Sequence, residues 1–251
     1  MPMWLEAGFW GLVAGSALVI GAAVGYLVPV PRQVIAGTMA FGAGVLVSVL
    51  AFDLIAEAHE RGGLVATGVG FLIGAIAFTI VNIHLSRRGA RHRKRSGDKQ
   101  VSEQEDGGSG LAIAAGALLD GIPEAMVIGL SVLAGPGVSA VAVIGIFVSN
   151  IPEGLASAAG MRRAGRSARY VFGLWAAIAA ASGGAAILGN VGLGGSPAEV
   201  VAATTALAAG AILAMVADTM FPEAFETAHE LTGLVAASGF LSAFILSSLG
   251  R

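Results

Sequence analysis

The sequence predicts an all-α integral membrane fold of eight spans, and three observations predict it. Long apolar runs are free of charge, short Gly- and Pro-rich breaks divide them, and basic residues concentrate in alternate breaks. Of the 251 residues, 56% are hydrophobic and only 12% charged, with a mean hydropathy of +0.83. Charged residues make up about 25% of an ordinary soluble domain, so this composition excludes a soluble fold. The chain has no cysteine, which excludes disulfides and thiolate metal sites.

The first span is read over residues 5–30. Its core, Phe9–Val30, has no charge, and a helix needs about 20 such residues to cross a hydrocarbon layer of roughly 30 Å. Met1–Gly8 has no Lys or Arg, so the run is expected to be a retained span rather than a secretory signal peptide. After Pro31-Arg32 comes span 2 (34–58), then Gly62-Gly63 and span 3 (63–86), whose Leu64–Leu85 is uncharged. Span 4 (109–134) and span 5 (137–161) are divided by Gly135-Pro136-Gly137. Span 6 (168–189) ends before Gly192–Pro197, and spans 7 (197–226) and 8 (231–250) complete the set. Gly and Pro at the breaks supply the turns. Helices are expected rather than strands, because each run is long and a helix satisfies its own backbone inside lipid.

Ser86–Gly108 is the one long loop. It opens basic (Arg87, Arg88, Arg91, Arg93, Lys94, Arg95) and closes acidic (Glu103, Glu105, Asp106). Its polarity predicts a disordered cytoplasmic segment. A nucleic-acid role is set aside in favour of a topology signal. With eight spans, twelve of the fourteen basic residues fall in loops of one side, and only Arg61 and Arg251 on the other. The positive-inside rule then puts both termini outside the cytoplasm of a multi-pass cell-membrane protein.

An internal repeat is visible. Ala58-His59-Glu60 precedes Gly63-Leu64-Val65-Ala66, and Ala228-His229-Glu230 precedes Gly233-Leu234-Val235-Ala236. Upstream stand Asp53 and Glu57 in one copy, Asp218 and Glu223 in the other. The copies are five spans apart and so run in opposite directions. This predicts inverted repeats (spans 1–3 and 6–8) around spans 4 and 5, a mark of secondary transporters.

The chemistry lies in acids within the spans. Span 4 holds Asp120-Gly121-Ile122-Pro123-Glu124, and span 5 holds Ser149-Asn150-Ile151-Pro152-Glu153. Asp120 and Glu124 are four apart and share a helix face, as do Ser149 and Glu153. Each proline removes a helical hydrogen bond and frees a carbonyl one turn earlier. Span 7 adds Asp218, with Glu223 after Pro222, and span 2 adds Asp53 and Glu57. At about 3 kcal/mol each, burying Asp120, Glu124, Glu153 and Asp218 costs on the order of 12 kcal/mol. No Lys or Arg lies in the same stretches. A divalent cation or protonation is therefore expected to offset the charge, and oxygen ligands suit hard or borderline ions. Glu57, Glu223, Glu226, His59 and His229 stand at span ends and are expected to be interfacial. Met126, Met161, Met215 and Met220 are read as packing residues, and Trp4, Trp10 and Trp175 as interface residues.

These motifs resemble the ZIP family of divalent metal-ion transporters across nearly the whole chain, with Gly42-Ala43-Gly44-Val45-Leu46 and Pro222-Glu223 as further points of likeness. The resemblance implies a binuclear site between spans 4 and 5, with contributions from spans 2 and 7. Asp120, Gly121 and Glu124 fall at its span 4 positions, Ser149, Asn150 and Glu153 at those of span 5, Asp218 in span 7 and Leu46 in span 2. The sequence departs from the family where it has Asp120-Gly121 in place of His-Asn, Ser149-Asn150 where His or Asp is usual, and Ala217-Asp218 in place of His-Glu.

The expected function is transport of a divalent metal into the cytoplasm. Glu124 and Glu153 are central ligands, Asp120, Asn150, Asp218 and Ser149 complete the shell, and Asp53, Glu57 and Glu223 are pathway candidates. Zinc is the family default. A site without histidine brings in manganese and iron, with cadmium as a further cargo. No resident cofactor and no enzyme constellation are expected. The expected partners are the lipid bilayer and divalent metal ions, with a homodimer as a candidate assembly and no nucleic acid. Two alternatives stay open: a proton-coupled carrier of an organic solute, and a non-transporting metal sensor.

Overall fold

A computed structural model describes residues 1–96, 100, 109–134 and 137–249. Among these the chain is helical, with no strand. The helices are α1 (Met3–Leu27), α2 (Arg32–Val49), α3 (Ile55–Ser86), α4 (Ser109–Ala134), α5 (Ala140–Arg163), α6 (Ala168–Leu193), α7 (Ala198–Met215), α8 (Phe221–Ala228) and α9 (Leu231–Leu249). Pro2, Pro31 and Pro197 precede α1, α2 and α7, where a missing N–H costs nothing. The hydroxyls of Ser139 and Ser167 accept from Ala142 N and Tyr170 N and cap α5 and α6.

Among the described residues, seven helical segments are long and apolar enough to cross a membrane, which makes this a multi-pass membrane protein by length and composition. One of them, Arg32–Ser86, runs for 55 residues. A straight helix of that length would extend about 80 Å, well over twice the hydrocarbon layer. It breaks at Gly63, whose φ of 71° and ψ of 177° suit only a residue without a side chain. On either side of the break the chain has different neighbours. Gly44 of α2 lies against the Ala236 carbonyl of α9, while Gly70 and Gly74 of α3 lie against the Ala203 and Leu207 carbonyls of α7. These contacts are so close that a Cβ at any of the three would overlap backbone. Small residues thus set the helix spacing, as packing in lipid favours.

Two stretches wind as π-helix: Leu50–Leu54 joins α2 to α3, and Val216–Met220 joins α7 to α8. Each carries an aspartate, Asp53 as the fourth residue of its stretch and Asp218 as the third. Such insertions are frequent at functional sites.

The loop differs from expectation over its first part. Instead of lying disordered in solvent, the chain beyond α3 turns at Gly89 (φ 104°) and makes a 3₁₀ turn at Ala90–His92. It then sinks among the helices, burying Arg93, Lys94, Ser96 and Gln100. Residues 97–99 and 101–108, to which the expectation of disorder also applied, lie outside the described residues.

Candidate functional site

Asp120 and Glu124 project from one face of α4, and Glu153 projects from α5, each beside its proline within the helix. All three are enclosed, with exposures of 2%, 1% and 3%. The sequence expectation that no cation pairs with them is corrected here. The counter-charges come from outside the spans, from the loop. Arg93 grips Asp120 through two parallel bonds, Nε to Oδ2 at 2.8 Å and Nη2 to Oδ1 at 2.7 Å. Lys94 Nζ lies 2.7 Å from Glu153 Oε2 and 3.3 Å from Asp120 Oδ2, and it also meets Met215 Sδ at 2.8 Å. Burial works against a charged Arg93 guanidinium, but Asp120 beside it, together with Glu153 and Asp218, holds its pKa above the usual arginine value.

The other predicted residues divide into two groups. Asn150 and Ser149 are both buried, and Asn150 lines the site. The Asn150 amide donates to the Ala14 carbonyl of α1 at 3.0 Å, and its Oδ1 has no hydrogen-bond partner. The Ser149 hydroxyl donates to Ile146 O at 2.9 Å in its own helix, which leaves its lone pairs open. Both oxygens of Glu124 and Oε1 of Glu153 also lack partners among the described residues. Gly121 and Asn150 line two adjoining spaces. One holds Asp120, Glu153, Lys94, Ser157 and Trp175, and its volume of about 10 Å³ is roughly one water position. The other is closed around Glu124, Ala14, Ile128 and Ser182.

Asp218 is separate. It is exposed and reaches the site through a relay: Asn82 Nδ2 donates to Asp218 Oδ2 at 3.2 Å, and Arg93 Nη1 donates to Asn82 Oδ1 at 2.9 Å. Asp218 lines a cavity of about 360 Å³ with Asn82, Ser86, Arg87, Arg91 and Thr219. Asp53 and Glu57 lie elsewhere, in a cavity of about 310 Å³ with Phe52, Glu60 and Ser139. Asp53 accepts from Ser247 at 2.8 Å, and Glu57 pairs with Arg61 at 3.1 Å. Leu46 packs in the main apolar cluster.

Two interfacial expectations are corrected. Glu223 is buried, because Ser96 N and Oγ donate to its Oε1 at 2.8 and 2.6 Å while Arg95 approaches at 3.4 Å. Trp175 is buried beside Leu18 and Ile178 and lines the site, because α6 presents it inward.

Among the described residues, no group of three or more His, Asp or Glu side chains is arranged to hold a metal ion. Arg93 and Lys94 take up the space where such a group would close. The residues missed from sequence are these two, Arg95, Ser96 and Asn82. One signal could have found Asn82, as the single Asn within the uncharged run Leu64–Leu85. The basic residues stood in plain view but were assigned to topology alone.

No protein-family model matches the chain, and no curated protein matches it either.

Proposed function

We propose that the protein is a ZIP-like transporter of eight spans that carries a divalent metal ion into the cytoplasm. Glu124 and Glu153 are its central ligands, with Asp120, Asn150 and Ser149 around them and Asp218 on the exit side. The observation that carries this reading is the trio of enclosed carboxylates, Asp120, Glu124 and Glu153, on two proline-bearing helices in the apolar interior. Acids so placed need a cation, and their oxygens together with the amide oxygen of Asn150 form a hard donor set. That set accommodates manganese and iron as well as the family's zinc.

Three further features support the reading. Gly63 divides the 55-residue helical segment where two spans are expected, in keeping with eight crossings. A π-helical stretch bearing an aspartate, Asp53 or Asp218, stands upstream of each copy of the sequence repeat, in keeping with inverted halves. An acidic cavity at Asp53, Glu57 and Glu60 and a second cavity at Asn82 and Asp218 stand apart, with the closed site between them. Alternating access asks for this arrangement. The site spaces also suit an ion, since an organic solute would need the helices to part widely.

Flux into liposomes of purified protein, with Zn²⁺, Mn²⁺, Fe²⁺, Cd²⁺ and Mg²⁺ in turn, tests the proposal beside Glu124→Ala and Glu153→Ala. Saturable flux of at least one transition metal, lost in both variants, is expected. Flux that survives both substitutions would exclude the site. Transport indifferent to every metal would favour the solute carrier, and binding without flux the sensor.

A further inference from the structure

The three consecutive cations Arg93, Lys94 and Arg95 each meet a different set of acids. Arg93 takes Asp120, Lys94 bridges Asp120 and Glu153, and Arg95 meets Glu223 and Glu226. Arg93 and Lys94 together bring two positive charges to the carboxylates, the charge of one divalent ion. The space left beside them is about 10 Å³, so a metal on Asp120 and Glu153 and the ammonium of Lys94 exclude each other.

The helices have a built passage for this segment. Gly116 of α4 faces Arg93 Cδ and Ala90 Cβ, and Gly160 of α5 faces the Arg95 carbonyl and the Gln100 amide, each too closely for a Cβ. Gln100 Nε2 donates to the carbonyls of Arg93, Arg95 and Ser157 at 3.2, 3.0 and 3.1 Å, which ties the segment to α5. Ser96 on Glu223, Arg93 on Asn82 and Arg95 on the Pro222 carbonyl add further hydrogen bonds. Between Arg87 and Ser96 the only aliphatic side chain is Ala90, so apolar burial contributes almost nothing and ion pairing is the main anchor. An ion that takes Asp120 and Glu153 removes the ion pairs of Arg93 and Lys94 and leaves two like charges behind it.

We infer that Arg93–Ser96 is a tethered cationic plug, a built-in competitor that occupies the carboxylate site when metal is absent and that metal must displace. The inference rests on the metal-transport reading above and adds regulation to it. The plug blocks the path toward the Asn82–Asp218 cavity in the empty protein, so the empty transporter is shut on that side. It also sets the apparent metal affinity: a plug inserted nine times in ten weakens binding about tenfold.

The test pairs metal binding with hydrogen exchange on the full chain in nanodiscs, using Mn²⁺ and Zn²⁺ each alone. Binding is read by calorimetry. At saturation, amides of residues 90–96 are expected to exchange at least about tenfold faster than in the metal-free protein. Metal that binds while 90–96 stay as protected as before overturns the plug and leaves the transport reading standing. Absence of binding for every metal of the transport panel overturns both. A second arm uses Arg93→Ala/Lys94→Ala and, separately, Gly160→Ala, which crowds the segment without touching an acid. Both are expected to bind metal roughly tenfold more tightly. Affinity unchanged or weakened in both, with the helical signal intact, overturns the plug. If neither variant folds, the exchange measurement on the unsubstituted chain decides alone.

Discussion

Lys94 Nζ lies 2.7 Å from Glu153 Oε2, an ammonium from a polar loop seated on a carboxylate at the centre of an apolar helix. The pair is enclosed, so solvent screens it little and the two side chains depend on each other. A double-mutant cycle over Lys94→Met and Glu153→Gln in metal-free detergent is expected to give a coupling of about 1–3 kcal/mol in unfolding. Strictly additive effects would mean that the contact does not form in the free protein.

Glu124 behaves differently. Neither oxygen has a hydrogen-bond partner among the described residues, although the side chain is buried. Glu124→Gln keeps the shape, removes a carboxylate with no hydrogen-bond partner among the described residues, and is expected to change stability by less than about 1 kcal/mol or to raise it slightly. Metal binding by calorimetry is expected to be lost in the same variant. A large fall in melting temperature would show that the carboxylate serves the fold rather than a ligand.

Helices and acids were legible in the sequence for a common reason. An uncharged run of more than twenty residues has few ways to satisfy its backbone, and an acid within it stands out against its neighbours. Bounds were close: span 6 was expected over 168–189 and α6 is Ala168–Leu193, and the break at Gly62-Gly63 falls on the positive φ of Gly63. What was not legible depended on contacts between distant parts of the chain. Arg93 and Asp120 are partners only because Gly116 leaves room for the arginine. Composition assigns a basic, polar segment to solvent, and no local pattern says that it folds back. Trp175 was misplaced for a related reason, since its depth is set by α1 and α4 packing on α6.

The close helix pairs give a sharper test of packing. A Cβ on Gly74 would overlap the Leu207 carbonyl of α7, while one on Gly173 of α6 meets nothing within 4 Å. Gly74→Ala is expected to force α3 from α7 and cost about 1–3 kcal/mol. Gly173→Ala is expected to be neutral or to stabilise by up to about 1 kcal/mol, since alanine is the better helix former. Equal melting temperatures for the two variants would contradict the close approach of α3 and α7.

Sidedness follows from which residues share an end of the bundle. Gly160 of α5 packs on Arg95, and Arg162 in the next turn donates to Tyr26 O at 2.6 Å, so the basic loop and the basic end of α5 lie together. At the opposite end, Arg61 bonds the Ala134 carbonyl, Glu6 accepts from Val138 N at 3.3 Å, and Ser247 meets Asp53. Glu6 and Ser247 therefore lie away from the basic cluster, and under the positive-inside rule the proposed topology has that cluster in the cytoplasm. The natural chain has no cysteine, so single reporters are clean. A cysteine replacing the exposed Glu60 is expected to react with a membrane-impermeant thiol reagent in intact cells. One replacing the exposed Arg91 is expected to react only after the membrane is opened. Ser96 would be a poor reporter, because it is buried against Glu223 whichever side it faces. Reaction of the Arg91→Cys protein in intact cells, with the Glu60→Cys protein silent, would invert the topology and make the acidic cavity at Asp53 the cytoplasmic one.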